Sequence, residues 1–220
     1  MATSDMETDQ LIETLAAGLA PARPLPSPAA RLAAWGAVSL PAAAAVALGF
    51  GLRPGLPTLL ATPSFLLEFL GAMLTALLGA YAALCAVVPD QPGWKLWLPM
   101  APLALWLGTL GRQCLAVVVR MGAAGLTVTP DPMCLPAIAL GGIVPALAIT
   151  LLLRRAHGVR PVHACFCGAL AAAALGAAVL RLYHPQDAAI MVIVWQLGSV
   201  ALLSLIGTLV GPARIAADPT

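Results

Sequence analysis

The stretch Arg112 to Cys134, RQCLAVVVRMGAAGLTVTPDPMC, decides how this chain is read. It reads as a mostly polar connection carrying Arg112, Cys114, Arg120, Asp131 and Cys134, with long apolar segments on both sides. Before it lie an amphipathic arm and three apolar runs, and after it lie three more runs and a short tail. Arg112 interrupts the third run, which resumes as Leu115 to Val119, and residues from Arg120 to Met133 are rich in Gly, Thr and Pro and predict a loop.

Composition names the solvent of these runs. Of the 220 residues 61% are hydrophobic and 9% charged, against about a quarter charged in a soluble domain. So short a chain cannot bury that much apolar surface in a soluble core, and lipid is the expected surroundings. The net charge of +2 comes from scattered cations, which argues against nucleic-acid binding. The first apolar run follows about thirty residues that include four acids and no basic start, so no secretory signal is read there.

Working outward, the predicted spans are 32–52, with Pro41 inside, then 64–88, a third from about Leu96, then 134–153, 162–182 and 188–210. Each is long enough to cross a hydrocarbon layer of roughly 30 Å. Arg53, Pro54, Gly55 and Pro57 predict a turn after the first, and Trp94 and Trp97 bracket Lys95 as interfacial residues do. The fold expected is all-α: an integral membrane bundle of six transmembrane helices, residues 31–212, preceded by an arm and spacer, 1–30, and followed by a tail, 213–220. With the N-terminus inside, the inner segments carry Arg23, Arg31, Lys95, Arg154, Arg155, Arg160 and Arg214, and the outer ones Arg53, Arg112, Arg120 and Arg181. Seven against four predicts cytoplasmic termini in a bacterial inner membrane.

In the arm, Leu11, Ile12, Leu15 and Leu19 recur at helical spacing, and Asp5, Glu7, Asp9 and Glu13 supply four of the nine acids of the chain. An acidic amphipathic helix suits a basic protein partner better than an anionic membrane surface; the alternative is a solvated tail. Pro21, Pro24, Pro26 and Pro28 form a semi-extended spacer. Glu68, one turn inside its span, is either a headgroup-level residue or a partnered functional one.

Glu68, Arg112, Cys114, Arg120, Asp131, Cys134, Arg181, His184 and Asp187 gather toward the outer face. Cys114 and Cys134 are open to three readings: a disulfide if their helices are adjacent, a soft-metal site with His184 as a further ligand, or small apolar residues packed in helix ends. His163 reads as interfacial, Cys165 and Cys167 point too far apart around a helix to share a ligand, and Gln196 beside Trp195 offers a helix-to-helix hydrogen bond. No glycine-rich phosphate loop, nucleophile elbow or HExxH is present, and no catalytic residue or resident cofactor is expected. The span centres are almost uniformly Ala, Leu, Val and Gly, which argues for a compact bundle without a polar pathway.

Taken together, Leu11-Ile12-Glu13-Thr14-Leu15 followed by Arg23-Pro24-Leu25, Pro63 to Glu68, Asp131-Pro132-Met133-Cys134, and Leu180 to Asp187 with Trp195 resemble the NrsF-type negative regulators of extracytoplasmic-function sigma factors. The resemblance spans nearly the whole chain, although Gln196 stands where the family commonly has an aromatic or histidine. It implies an anti-sigma factor whose arm (Leu11, Ile12, Glu13, Leu15, Leu19) holds a sigma factor until a heavy-metal or oxidative signal in the envelope releases it. It also implies that Cys114 and Cys134 are the sensing pair, the site of any regulatory metal ion, with Glu68, Arg112, Asp131, Arg181, His184 and Asp187 in support. The partners implied are the sigma factor and the bilayer, without direct nucleic-acid contact. The alternatives are a small membrane transport or metal-handling protein and a subunit of a larger complex.

Overall fold

The structure is a computed structural model that describes residues 2–17, 25–122, 125, 127, 128, 130, 133–154, 159–184 and 189–216, with side chains from Thr8 to Pro212 within those ranges. Nine helices are described: α1 (Ala2–Ala17), α2 (Pro28–Phe50), α3 (Leu56–Leu60), α4 (Pro63–Ala86), α5 (Met100–Met121), α6 (Cys134–Arg154), α7 (Pro161–Tyr183), the single turn α8 (Ala189–Met191) and α9 (Gly198–Ala216). A 3₁₀ turn, Gly93–Trp97, leads into α5, and a π-helical segment, Val192–Leu197, joins α8 to α9. No strand occurs among the described residues. Six helical stretches are long and apolar enough to cross a membrane: Pro28–Phe50, Pro63–Ala86, Gly93–Met121, Cys134–Arg154, Pro161–Tyr183 and Ala189–Pro212.

Local chemistry sets these boundaries. Proline occupies the first turn of α2, α4 and α7, where its missing N–H costs nothing and its fixed φ favours the helix. The Ser27 hydroxyl accepts a bond from the Ala30 N–H at 3.2 Å and caps α2. Gly51 (φ 84°) ends α2 and Gly122 (φ 72°) ends α5, both in the left-handed region that side chains disfavour.

α7 is the axis of the bundle. It packs on α4, α6, α9 and α2, and its residues from Leu170 to Arg181 are all buried. Small residues let the backbones touch: a Cβ on Gly142 would lie 2.9 Å from the Ala172 carbonyl oxygen, one on Gly79 3.1 Å from that of Cys167, and one on Gly176 would collide with that of Ile138. This is how membrane helices associate when the apolar surroundings give no hydrophobic drive. Large apolar side chains such as Leu48, Val119, Leu147 and Leu209 face outward instead.

Two sequence expectations are corrected. α5 carries Arg112 and Cys114 through the resumed Leu115 to Val119 run and ends only at Met121, two residues into the stretch from Arg120 that the sequence predicts to be loop. The turn after the first span contains α3, for which Gly55 in the left-handed region and Pro57 at a first-turn position set the start.

Contacts between helix ends define two faces. At the arm face, the start of α2 meets the end of α6 through Arg31 and Leu152. At the far face, the end of α2 meets the end of α7, where the Arg53 N–H donates to the Leu182 carbonyl at 3.0 Å.

Candidate functional site

The far half of the bundle holds a buried polar cluster. Glu68 on α4 and Arg181 on α7 form an ion pair, Oε2 to Nη2 at 2.9 Å, with side chains 4% and 5% exposed. The Gln113 amide on α5 donates to the other Glu68 oxygen, so one carboxylate joins three helices. Arg181 also lies over the Phe65 ring at 4.8 Å from its centroid, one turn before Glu68. Charges removed from water persist only when opposed and hydrogen-bonded, and here both conditions hold. Glu68 is thus the partnered kind of membrane acid, and the polar layer qualifies the uniformly apolar interior expected from the sequence.

The same end of α7 ties in the connection after α2. Arg53 donates through Nη1 to the His184 carbonyl at 3.4 Å, and Phe50 stacks on Tyr183 with centroids 5.0 Å apart. Beyond them His184 Nε2 lies 4.0 Å from Cys134 Sγ at the start of α6. Arg181 and His184, three residues apart on one strand of chain, therefore link the ion pair to a buried thiol.

Other expected site residues scatter. Cys114 is partly buried at the edge of the core on α5, which packs chiefly on α4, whereas Cys134 is buried on α6, which packs on α7 and α2. Neither is in a disulfide, nor are Cys85, Cys165 and Cys167. Arg112 and Arg120 are exposed on α5. Asp131, Asp187 and Leu19 lie outside the described residues. Among the described residues no three His, Cys, Asp or Glu side chains gather as a metal site.

Gln113 has no signal in the sequence, whereas the helix-to-helix hydrogen bond expected of Gln196 is not found among the described residues. Gln113 sits between Arg112 and Cys114, and only the rotation of α5 shows that it faces Glu68. Gln196 is fully buried in the π segment, and neither of its amide atoms has a partner among the described residues.

At the opposite end, every described side chain of α1 from Thr8 to Ala17 is exposed. Leu11, Ile12 and Leu15 are 59%, 57% and 63% exposed and share one side of the helix, while Asp9 and Glu13 stand in solvent. The bundle makes no use of this apolar stripe.

These features define a polytopic α-helical membrane protein with an unpacked amphipathic helix at one face and a buried polar clamp toward the other. The chain belongs to the NrsF family, negative regulators of sigma F: the family's model matches residues 15–216. That match takes in the whole bundle and Leu15 of the arm, and begins after Leu11, Ile12 and Glu13. No curated protein and no solved structure gives a significant match.

Proposed function

We propose that the chain is a membrane-bound anti-sigma factor of the bacterial inner membrane, with both termini cytoplasmic. Its arm sequesters an extracytoplasmic-function sigma factor, and an envelope signal, metal or oxidative stress, sensed near Cys114 and Cys134 releases it. The observation that carries the reading is the exposed stripe of Leu11, Ile12 and Leu15 on α1. Apolar side chains so exposed on a short helix are stabilised by docking in a partner's groove, as amphipathic recognition helices do. Asp9 and Glu13, elsewhere on the surface of the same helix, add negative charge that complements a basic surface of the kind a DNA-contacting protein presents, and speed encounter with it.

For the sensing half, support comes from the Cys134–His184 contact and its short covalent path to Arg181. A ligand or oxidation that moves His184 strains the segment that positions Arg181, and thereby bears on the junction of α4, α5 and α7. A signal acts through such a junction only by favouring one of two arrangements. Cys114 is on α5, one residue from Gln113.

Deleting residues 2 to 28 in the native organism tests the reading. Transcription of the sigma factor's regulon should rise to the level seen when the whole protein is removed; an unchanged regulon refutes it. Cys114→Ser with Cys134→Ser should keep repression and abolish induction, and induction that survives both substitutions refutes the sensing half.

A further inference from the structure

At the arm face a cavity of about 290 Å³ opens between the turn that leads into α5, the start of α7 and the end of α9. Three of its wall residues carry donors suited to a soft metal: Met100 at the start of α5, and His163 and Cys167 in the first two turns of α7. Their four-residue spacing puts His163 and Cys167 on one side of the helix. Cys165, between them in sequence, faces Gly211 on α9 and takes no part in this cavity.

The three donors run from the mouth inward. His163 is exposed and its ring has no hydrogen-bond partner among the described residues, Met100 is half-buried, and Cys167 is 2% exposed. Cys167 Sγ lies 3.9 Å from the Leu96 carbonyl oxygen, which turns the sulfur across the cavity toward the segment entering α5. Trp97 and Phe166 add an aromatic wall. No carboxylate lines the cavity, so ions that seek anionic oxygen, such as calcium and magnesium, find no ligand of their kind there.

We propose that His163, Cys167 and Met100 form a site for one soft monovalent ion, copper(I) by its chemistry. Thiolate and thioether sulfur select copper(I), and imidazole suits copper as well. The ion replaces the Cys167 proton, which leaves to solvent, so thiolate, neutral imidazole, thioether and monovalent cation sum to zero charge. A divalent ion would leave a net positive charge at the edge of the hydrocarbon, where uncompensated charge is costly. The site differs from a cluster of His, Cys, Asp and Glu in drawing its third donor from a thioether. On the topology proposed above this face is cytoplasmic, a compartment that keeps thiols reduced. A bound ion ties the segment entering α5 to the first turns of α7. The site depends neither on what the arm binds nor on Cys114 and Cys134.

Titration with copper(I) against the chelator bicinchoninate tests this on the full chain in mild detergent, with Cys85, Cys114, Cys134 and Cys165 replaced by Ala. The expected result is one ion per chain, with two sulfur neighbours and one nitrogen in its X-ray absorption spectrum. Outer-shell partners alone are worth about 10–100-fold in affinity, so losing a direct donor in His163→Ala or Met100→Leu should weaken binding at least about tenfold, and Cys167→Ala should abolish it. His163 is exposed and Met100→Leu conserves volume, so both variants should keep their helicity in circular dichroism. In the parent with all five cysteines, Cys167→Ala should lower the stoichiometry by one ion, which decides the matter even where the fourfold background fails to fold. No ion retained, or binding that survives Cys167→Ala, overturns the site. So does an ion whose affinity neither His163→Ala nor Met100→Leu changes, which marks a lone adventitious thiol. Zinc(II) held more tightly than copper(I) overturns the assignment to a monovalent ion.

Discussion

Replacing Glu68 by Leu should be among the most damaging single changes in the bundle. The substitution leaves Arg181 charged and 5% exposed with its carboxylate gone, and the Gln113 amide without its acceptor. Breaking a buried ion pair from one side costs about 3–5 kcal/mol, because the surviving charge is uncompensated. The Phe65 ring at 4.8 Å is present in parent and variant alike and does not offset this, so a loss of about 3–5 kcal/mol is expected. Removing both charges, as Glu68→Leu with Arg181→Met, should come within about 1 kcal/mol of the parent, since an apolar pair of similar volume replaces the ions without an orphan. The double-mutant cycle should then give a coupling of at least about 2 kcal/mol. Reversible unfolding in mixed detergent and sodium dodecyl sulfate micelles, followed by tryptophan fluorescence, measures all four proteins. A single-variant loss below about 1 kcal/mol would mean that the pair behaves like a solvated surface bridge and does not clamp the three helices.

Three further outcomes follow from the packing. Gly176→Ala forces a methyl into the Ile138 carbonyl and should cost about 1–3 kcal/mol, whereas Gly108→Ala, with nothing within 4 Å of the new Cβ, should change unfolding by less than about 0.5 kcal/mol. Trp35→Phe removes the indole N–H bond to the Pro145 carbonyl at 3.0 Å and should lose about 1 kcal/mol in the same assay. A membrane-impermeant maleimide should modify Cys114 faster than Cys134, because Cys134 is wholly buried and Cys114 only partly; equal rates in a protein with the other cysteines removed would contradict the burial of Cys134.

The helices were legible in the sequence because apolar runs interrupted by Pro, Gly and charge leave little choice of boundary. Pro28, Pro63 and Pro161 mark three starts, and Gly51 and Gly122 mark two ends. The helix rotations were not legible. A span such as α7 is Ala, Leu and Gly on every side, so periodicity cannot say which face meets which neighbour. Glu68 and Arg181 were both singled out, yet their pairing across 113 positions of sequence emerged only from the packing. Arg31 was counted among the inner charges, and its burial against α6 had no local signal because it depends on where α6 ends. The π segment at Val192–Leu197 likewise had no local signal, since no proline or glycine lies within it.

The account turns on α1, and the most direct measurement is sigma-factor capture by the full-length chain in detergent or nanodiscs, parent against Leu15→Asp. Leu15 is 63% exposed on the free arm, so the substitution leaves the bundle intact. In a docked arm it removes the burial of a leucine and inserts a charge, a loss of at least about 2–3 kcal/mol, or roughly a hundredfold in affinity. The account predicts that the parent co-purifies with a sigma factor and that Leu15→Asp does not. Equal recovery with both proteins, or no sigma factor with either, would contradict it.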